Sequence, residues 1–128
     1  MKIIFHGIDL VDSRRIERLV HRHGRRFLDR VFTPAEQQYS GRHRKQAERL
    51  AGRFAVKEAV MKMLGTGWSK DVGWKDIETL NSPSGKPEVI LRSETAKKIA
   101  DQMGIESISV SITHTSDLAI ASAIALGN

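Results

Sequence analysis

The spacing of apolar residues changes repeatedly along the chain, and each change marks an expected element. Residues 2–11 carry Ile, Val and Phe on both alternating sides, as in a strand covered on two faces, and Asp9 falls near its end. Asp12 is placed to cap a helix over residues 13–23, which Gly24 stops. On that helix Ile16, Leu19, Val20 and His23 share one side, and Arg14, Arg15, Arg18 and Arg22 share the other, at about 100° per residue. The stretch TPAE, Thr33 to Glu36, reads as a capping box with Pro34 in the first turn, which gives Glu36 a structural task. A longer helix is expected from His43 to Leu64, ended by Gly65 and Gly67. Two strands follow, joined by a turn rich in Ser, Pro and Gly around residues 82–87, and Ser93 can cap a helix over residues 94–103. The last third alternates Ile108, Val110 and Ile112 with Ser109, Ser111 and Thr113, turns at HTSD, and alternates again from Leu118 and Ile120 onward. This order predicts one compact domain over residues 1–128, of α/β (α+β) class, with a mainly antiparallel sheet packed against a long central helix.

The long helix contains a conflict. Ala47, Leu50, Ala51, Phe54 and Met61 form one apolar stripe, and Val56, Val60 and Met63 make the opposite side apolar too, so the fold or another chain must enclose it. Glu58 lies about 40° from the centre of that stripe, with Lys57 and Lys62 on its flanks at roughly −60° and +80°. A carboxylate on a burial face must be paired, neutralised or metal-bound. Glu58 is therefore either half of a structural ion pair or part of a site. Asp9 is the natural second acid, with Gly7 allowing close backbone approach, although a turn or capping aspartate is the alternative. Two hard carboxylates suit Mg²⁺ or Mn²⁺, which complete their shell with water and substrate phosphates. The Gly65–Thr66–Gly67 stretch can bring backbone amides to a ligand or simply end the helix.

Composition narrows the partners. The formal charge of +6 favours an acidic one: nucleic acid, an anionic membrane, a phosphorylated small molecule or an acidic protein. Having no cysteine excludes disulfides and thiolate-held zinc and suits a reducing cytoplasm. The first apolar run meets His6, Asp9 and Asp12 too early for a signal peptide or membrane span.

Five stretches, in order, then resemble the holo-[acyl-carrier-protein] synthase family, the small single-domain class of 4′-phosphopantetheinyl transferases. They are GIDLVDSRRI from Gly7, FTPAE from Phe32, LAGRFAVKEAVMKMLGTG from Leu50, NSPSGKP from Asn81 and SITHTSDLAIASAIAL from Ser111. The resemblance implies transfer of the 4′-phosphopantetheine arm of coenzyme A to a serine of acyl carrier protein, with release of adenosine 3′,5′-bisphosphate, in support of fatty acid biosynthesis. It implies that Asp9 and Glu58 hold Mg²⁺ and that Lys62 stabilises charge on the transferred or leaving phosphate. By the same resemblance Arg53 and Lys57 lie beside the diphosphate or nucleotide, His114 contacts a phosphate, and Gly85 and Pro87 shape a loop near the nucleotide. Gly65 and Thr66 join the expected coenzyme A contacts. Arg15, Arg22 and Arg26 are the expected docking residues for the acidic carrier. The family also implies a homotrimer with coenzyme A bound between neighbours. Members often carry a glycine-rich GIGxD where this chain reads Phe5, His6, Gly7, Ile8, Asp9, which puts in doubt how closely substrate approaches that strand. His6 is read as packing, because Mg²⁺ prefers oxygen.

Two other readings were weighed. A small nucleic-acid-binding module fits the charge, but aromatics are only 5% of the chain, no RNA-recognition or zinc-finger motif occurs, and Glu58 is left unexplained. An inactive coenzyme A-binding relative is disfavoured because every acid and lysine of the pattern is present. The expectation is a cytoplasmic enzyme acting on coenzyme A and acyl carrier protein, with neither nucleic acid nor membrane as partner.

Overall fold

The computed structural model describes residues 1–42 and 45–128. The chain opens with strand β1, Lys2–Asp12, and turns directly into helix α1, Ser13–His23. Asp12 caps that helix by accepting from the Arg14 amide at 2.9 Å, and the Arg14 guanidinium grips the same carboxylate at 2.8 Å. The side-chain hydrogen bond from Arg14 is the main cause holding the Asp12 carboxyl down at about 2. Gly24, at φ 53°, ends α1 and begins α2, Arg25–Val31. This short helix was not expected from the sequence; Leu28 and Val31 are its buried residues, too few for a visible period.

Helix α3, Pro34–Ser40, carries the expected capping box, with both Thr33 and Glu36 bonds present. Helix α4, Gln46–Leu64, ends at Gly65 in the left-handed region; its expected start at His43 lies outside the described residues. A 3₁₀ turn, Trp74–Asp76, leads to β2, Ile77–Asn81, then β3, Pro87–Leu91, helix α5, Glu94–Gln102, capped by Ser93, and the hairpin of β4, Ile105–His114, and β5, Leu118–Gly127. All strand pairs are antiparallel, as expected, but they divide into two sheets, β1-β5-β4 and β2-β3.

Helix α4 is the centre of both halves. Between Leu50 and Leu64 only Glu58 and Lys62 escape burial, and the fold of this one chain supplies the enclosure. One side lies on the three-stranded sheet, where β5 offers the buried row Ala119, Ala121, Ala123 and Ala125. Small side chains there let the helix backbone come close. The closest approach is at Gly7, where a Cβ would stand 2.1 Å from the Ala59 carbonyl oxygen and 2.9 Å from the Met63 amide nitrogen. Phe32, Ile16, Leu50 and Ile77 are fully enclosed around the other side, each contributing about 1.5–3 kcal/mol by leaving water.

The outer face of the same sheet corrects one expectation. β1 is covered on one side only, by α4, and Ile8 and Leu10 stand 60% and 59% exposed, with Leu118 and Ile120 exposed beside them on β5. β5 turns its alanines inward and Leu118 and Ile120 outward because only the former allow the helix to approach, whereas β4 buries Val110 and packs Ile108 and Ile112 on the core. Gly7→Ala is expected to cost about 3 kcal/mol or more, the upper end of overpacking penalties, since backbone rather than a flexible side chain must move. Urea denaturation midpoints at unchanged m-value check this.

Candidate active site

Alternation along β1 turns Gly7, Asp9 and Val11 towards α4, and the missing side chain at Gly7 lets the helix settle where Asp9 meets Glu58 and Lys62. Lys62 Nζ donates to Asp9 Oδ1 at 2.9 Å and to the Ile8 carbonyl at 3.1 Å, while more than half of its side chain stays in solvent. Its pKa is raised, first by the hydrogen bond to Asp9 and then by that carboxylate's charge. Glu58, half-buried, has its carboxyl pushed above the ordinary value. Burial is the largest cause, followed by the negative charge of Asp9 and a hydrogen bond to it; Arg15 and Lys62 pull the other way. The two acids thus crowd one place with incomplete neutralisation. Among the described residues no group of three or more His, Cys, Asp or Glu side chains gathers to hold a metal. A pair of oxygen ligands with water and phosphate completing the shell is a donor set that fits Mg²⁺ rather than zinc.

Lys57 belongs elsewhere, which corrects its expected place beside a phosphate. Its ammonium is wholly buried and spends its three protons inside the protein: on Glu36 Oε1 at 2.8 Å, the Trp74 carbonyl at 2.8 Å and the Ile77 carbonyl at 2.6 Å. Burial lowers its pKa, against the pull of Glu36. Glu36 is equally enclosed and also accepts from the Thr33 and Thr79 amides, each at 2.9 Å. The structural ion pair that Glu58 could have formed exists, but with the neighbouring lysine. Removing one partner alone would strand a buried charge, at about 3–5 kcal/mol.

A second cluster forms one turn earlier on α4. Arg53, buried, donates to Asn81 Oδ1 at 2.5 Å and stacks 4.0 Å from the Tyr39 ring centroid; its Nε has no hydrogen-bond partner among the described residues. Asn81 Nδ2 in turn holds the Gly85 carbonyl at 3.0 Å, and Gly85 takes φ 91°, a conformation that favours glycine. Pro87 opens β3 opposite Asn81. Arg53 and the Gly85 turn are therefore joined through Asn81, with Tyr39 stacked on the arginine; neither residue is a site candidate from sequence. Asn81 was detectable as an amide at a strand end before a Ser-Pro turn; Tyr39 carried no signal. Gly65 takes φ 76°, the Thr66 amide bonds the Met61 carbonyl at 3.1 Å, and the Thr66 hydroxyl is buried without a partner.

His114 is exposed at the end of β4, opposite Ala119. The turn after it is tied to the start of α1, where Ser13 donates to the Ser116 carbonyl at 2.6 Å and to the Asp117 carbonyl at 2.8 Å. Arg15, Arg22 and Arg26 are exposed; Arg15 also sits 5.8 Å above the Phe54 ring. A groove of about 800 Å³ runs along α1 to the start of α4, lined by Arg15, Arg18, Arg22, Leu19, Gln46 and Ala47. Arg26 lies on the next helix.

An enclosed helix whose Glu58 meets Asp9 of a neighbouring strand defines a class that comparison with known proteins identifies. The chain belongs to the 4′-phosphopantetheinyl transferase superfamily, whose family model matches residues 6–121. It is 43% identical over 122 residues to the holo-[acyl-carrier-protein] synthase of Solibacter usitatus, covering 95% of this chain and 97% of that one. It is 45% identical over 126 residues to the protein of the same name from Chlamydia pneumoniae, covering 98% and 99%. Among solved structures, the Helicobacter pylori holo-[acyl-carrier-protein] synthase in complex with coenzyme A superposes with a TM-score of 0.82 at 35% identity, covering 94% of this chain and 99% of that one.

The charges around Glu58 make a test of opposite signs. Asp9→Asn should bring the Glu58 carboxyl down towards its ordinary value, whereas Lys62→Met should push it higher, because a cation that opposes the shift is lost. Carboxyl-carbon NMR titration of the metal-free protein reads both.

Proposed function

We propose that this protein transfers the 4′-phosphopantetheine group from coenzyme A to a serine hydroxyl of apo acyl carrier protein, giving the holo carrier and adenosine 3′,5′-bisphosphate, and that it does so in the cytoplasm in support of fatty acid biosynthesis. The observation that carries the reading is the meeting of Asp9 and Glu58 beside Lys62, where Gly7 lets β1 and α4 touch backbone to backbone. Phosphoryl transfer asks for little covalent chemistry from the protein; positioning and neutralisation of charge supply most of the acceleration. Asp9 and Glu58 would hold Mg²⁺, which when bound neutralises the diphosphate and polarises the reacting phosphate. Lys62 orients Asp9 and keeps an exposed ammonium within reach of a phosphate at the same place. Arg53, through Asn81, holds the Gly85 turn, whose backbone groups are offered to a nucleotide, and Gly65 and Thr66 lie at the end of the helix that carries Glu58.

The groove along α1 suits an acidic carrier. Arg15 and Arg22 line it with Leu19, and Arg26 extends the charge on α2, so attraction steers encounter while the apolar residues give contact. A homotrimer with coenzyme A between neighbours is supported by the exposed apolar face of Ile8, Leu10, Leu118 and Ile120, which an assembly would cover. His114, exposed at the end of β4, is then available to a neighbour's site. No helix among the described residues is long and apolar enough to cross a membrane.

Purified protein given Mg²⁺, coenzyme A and apo carrier should add one phosphopantetheine to the carrier, read by intact mass; no addition where a control transferase succeeds sinks the reading. Asp9→Asn and Glu58→Gln should each lower turnover by about 10²-fold or more with the oligomer intact. Charge reversal at Arg15, Arg22 and Arg26 should lower kcat/KM and flatten its dependence on salt. Sedimentation should give three copies, and Ile8→Arg with Leu10→Arg should release single chains.

A further inference from the structure

The buried Glu36–Lys57 pair is the largest investment of charge in this fold that the proposed reaction does not use. An apolar pair of similar volume could serve stability as well. What an apolar pair could not do is hold the two carbonyls, Trp74 and Ile77, that receive Lys57 at the two ends of the 3₁₀ turn. Glu36 fixes the other end of the lysine through α3 and β2, by way of the Thr33 and Thr79 amides. The ammonium is thereby locked in direction, with each proton assigned.

The turn so held carries an aromatic stack towards the substrate side. The Trp74 ring lies 4.9 Å from Phe54 on α4 and 6.5 Å from Trp68, both near-parallel at 28° and 27°. Trp68 directly follows Gly67 and is more than half exposed, and the stack on Trp74 is the contact that restrains its ring, while the hydrogen-bonded Ser69–Val72 turn holds the chain beyond it. Gly65 and Gly67 both have positive φ, and a Cβ added at either would meet open space, so the turn between α4 and Trp68 is held to the helix chiefly through Thr66, whose amide bonds the Met61 carbonyl and whose hydroxyl is buried. Its near end is fixed by the helix, and its far end is carried by Trp68.

We infer that the Glu36–Lys57 pair is a positioning device for the Gly65–Gly67 turn, acting through Trp74 and Trp68 to hold that turn beside Glu58 and Lys62 for a diphosphate-bearing substrate. The inference rests on the transferase reading for the identity of that substrate. Lys57 and Glu58 are consecutive, so helix rotation sends one inward to the anchor and presents the other to Asp9. The same residue pair therefore ties the acid and the turn into one register.

The test uses the double variant Glu36→Gln with Lys57→Met, which removes both buried charges together and keeps an acceptor oxygen for one of the Thr33 and Thr79 amides. Because Trp68 and Trp74 are the only two tryptophans, fluorescence reports on this segment alone. Expected are a native circular dichroism spectrum, Mg²⁺ affinity within about twofold of wild type, and red-shifted, more quenchable tryptophan emission. The dissociation constant and KM for coenzyme A should rise about tenfold or more while kcat changes less. Trp68→Ala, at an exposed position, should raise KM in the same way without touching the ion pair, and decides the matter should the double variant not fold. Unchanged coenzyme A affinity in the double variant, or in Trp68→Ala where the double variant does not fold, overturns the inference. A parallel loss of Mg²⁺ affinity overturns it too, because it would assign the pair to Glu58 instead. Wild-type protein that binds no coenzyme A removes the transferase reading itself, whereas wild type that binds it beside an unaffected double variant removes this inference alone.

Discussion

Everything at the proposed site depends on how near a helix can lie to a strand. At Gly7 the separation between β1 and α4 is set by backbone atoms, with the Ala59 carbonyl occupying the space where any side chain would begin. That contact brings a strand carboxylate and a helix carboxylate together in spite of their repulsion. The energy to hold two like charges in a half-buried place comes from the apolar enclosure of α4 around them, in which nearly every residue from Leu50 onward is buried. Lys62 relieves part of the conflict through Asp9, and the raised Glu58 carboxyl records the part that remains.

The helix also divides labour by direction. Its sheet side carries the acid that meets Asp9; its other side carries a lysine committed to Glu36 and to the turn at Trp74. An ion pair contributes little to stability for its cost in desolvation, so its retention makes most sense as a fastening of particular carbonyls. Arg53, further back along the same helix, performs a comparable tie to Asn81 and the Gly85 turn. Two loops distant in sequence are thus referenced to one rigid element, which is the arrangement a site needs when catalysis rests on placement.

Much of this was legible in the residues. Asp12, Gly24, Thr33, Glu36, Ser93 and Gly65 mark helix ends through capping chemistry that is local, and the structure has those ends where they were read. Glu58 declared itself by standing in an apolar stripe. What stayed hidden was whatever depends on a distant partner. Lys57 and Lys62 have the same charge and flank the same stripe, yet one faces Glu36 on another helix and the other faces water and Asp9; spacing along one helix does not record what packs against each flank. Likewise, alternation in the last hairpin says that its faces differ, not that alanines rather than Leu118 and Ile120 are the ones to meet the helix. Helix α2 was missed because two buried residues in one short helix make no period.

The alanine row of β5 carries a consequence of its own. Ala121 pairs directly with Asp9 across the sheet, and with Ala119, Ala123 and Ala125 it forms the floor on which α4 rests. None of these methyl groups carries any chemistry, yet their small size determines how far Glu58 stands from Asp9. The active site is therefore calibrated by volume on a strand that supplies it with no functional group. Thinness along this strand is a requirement, and a chain that kept every acid and lysine while thickening that floor would retain the inventory of an enzyme without its dimensions.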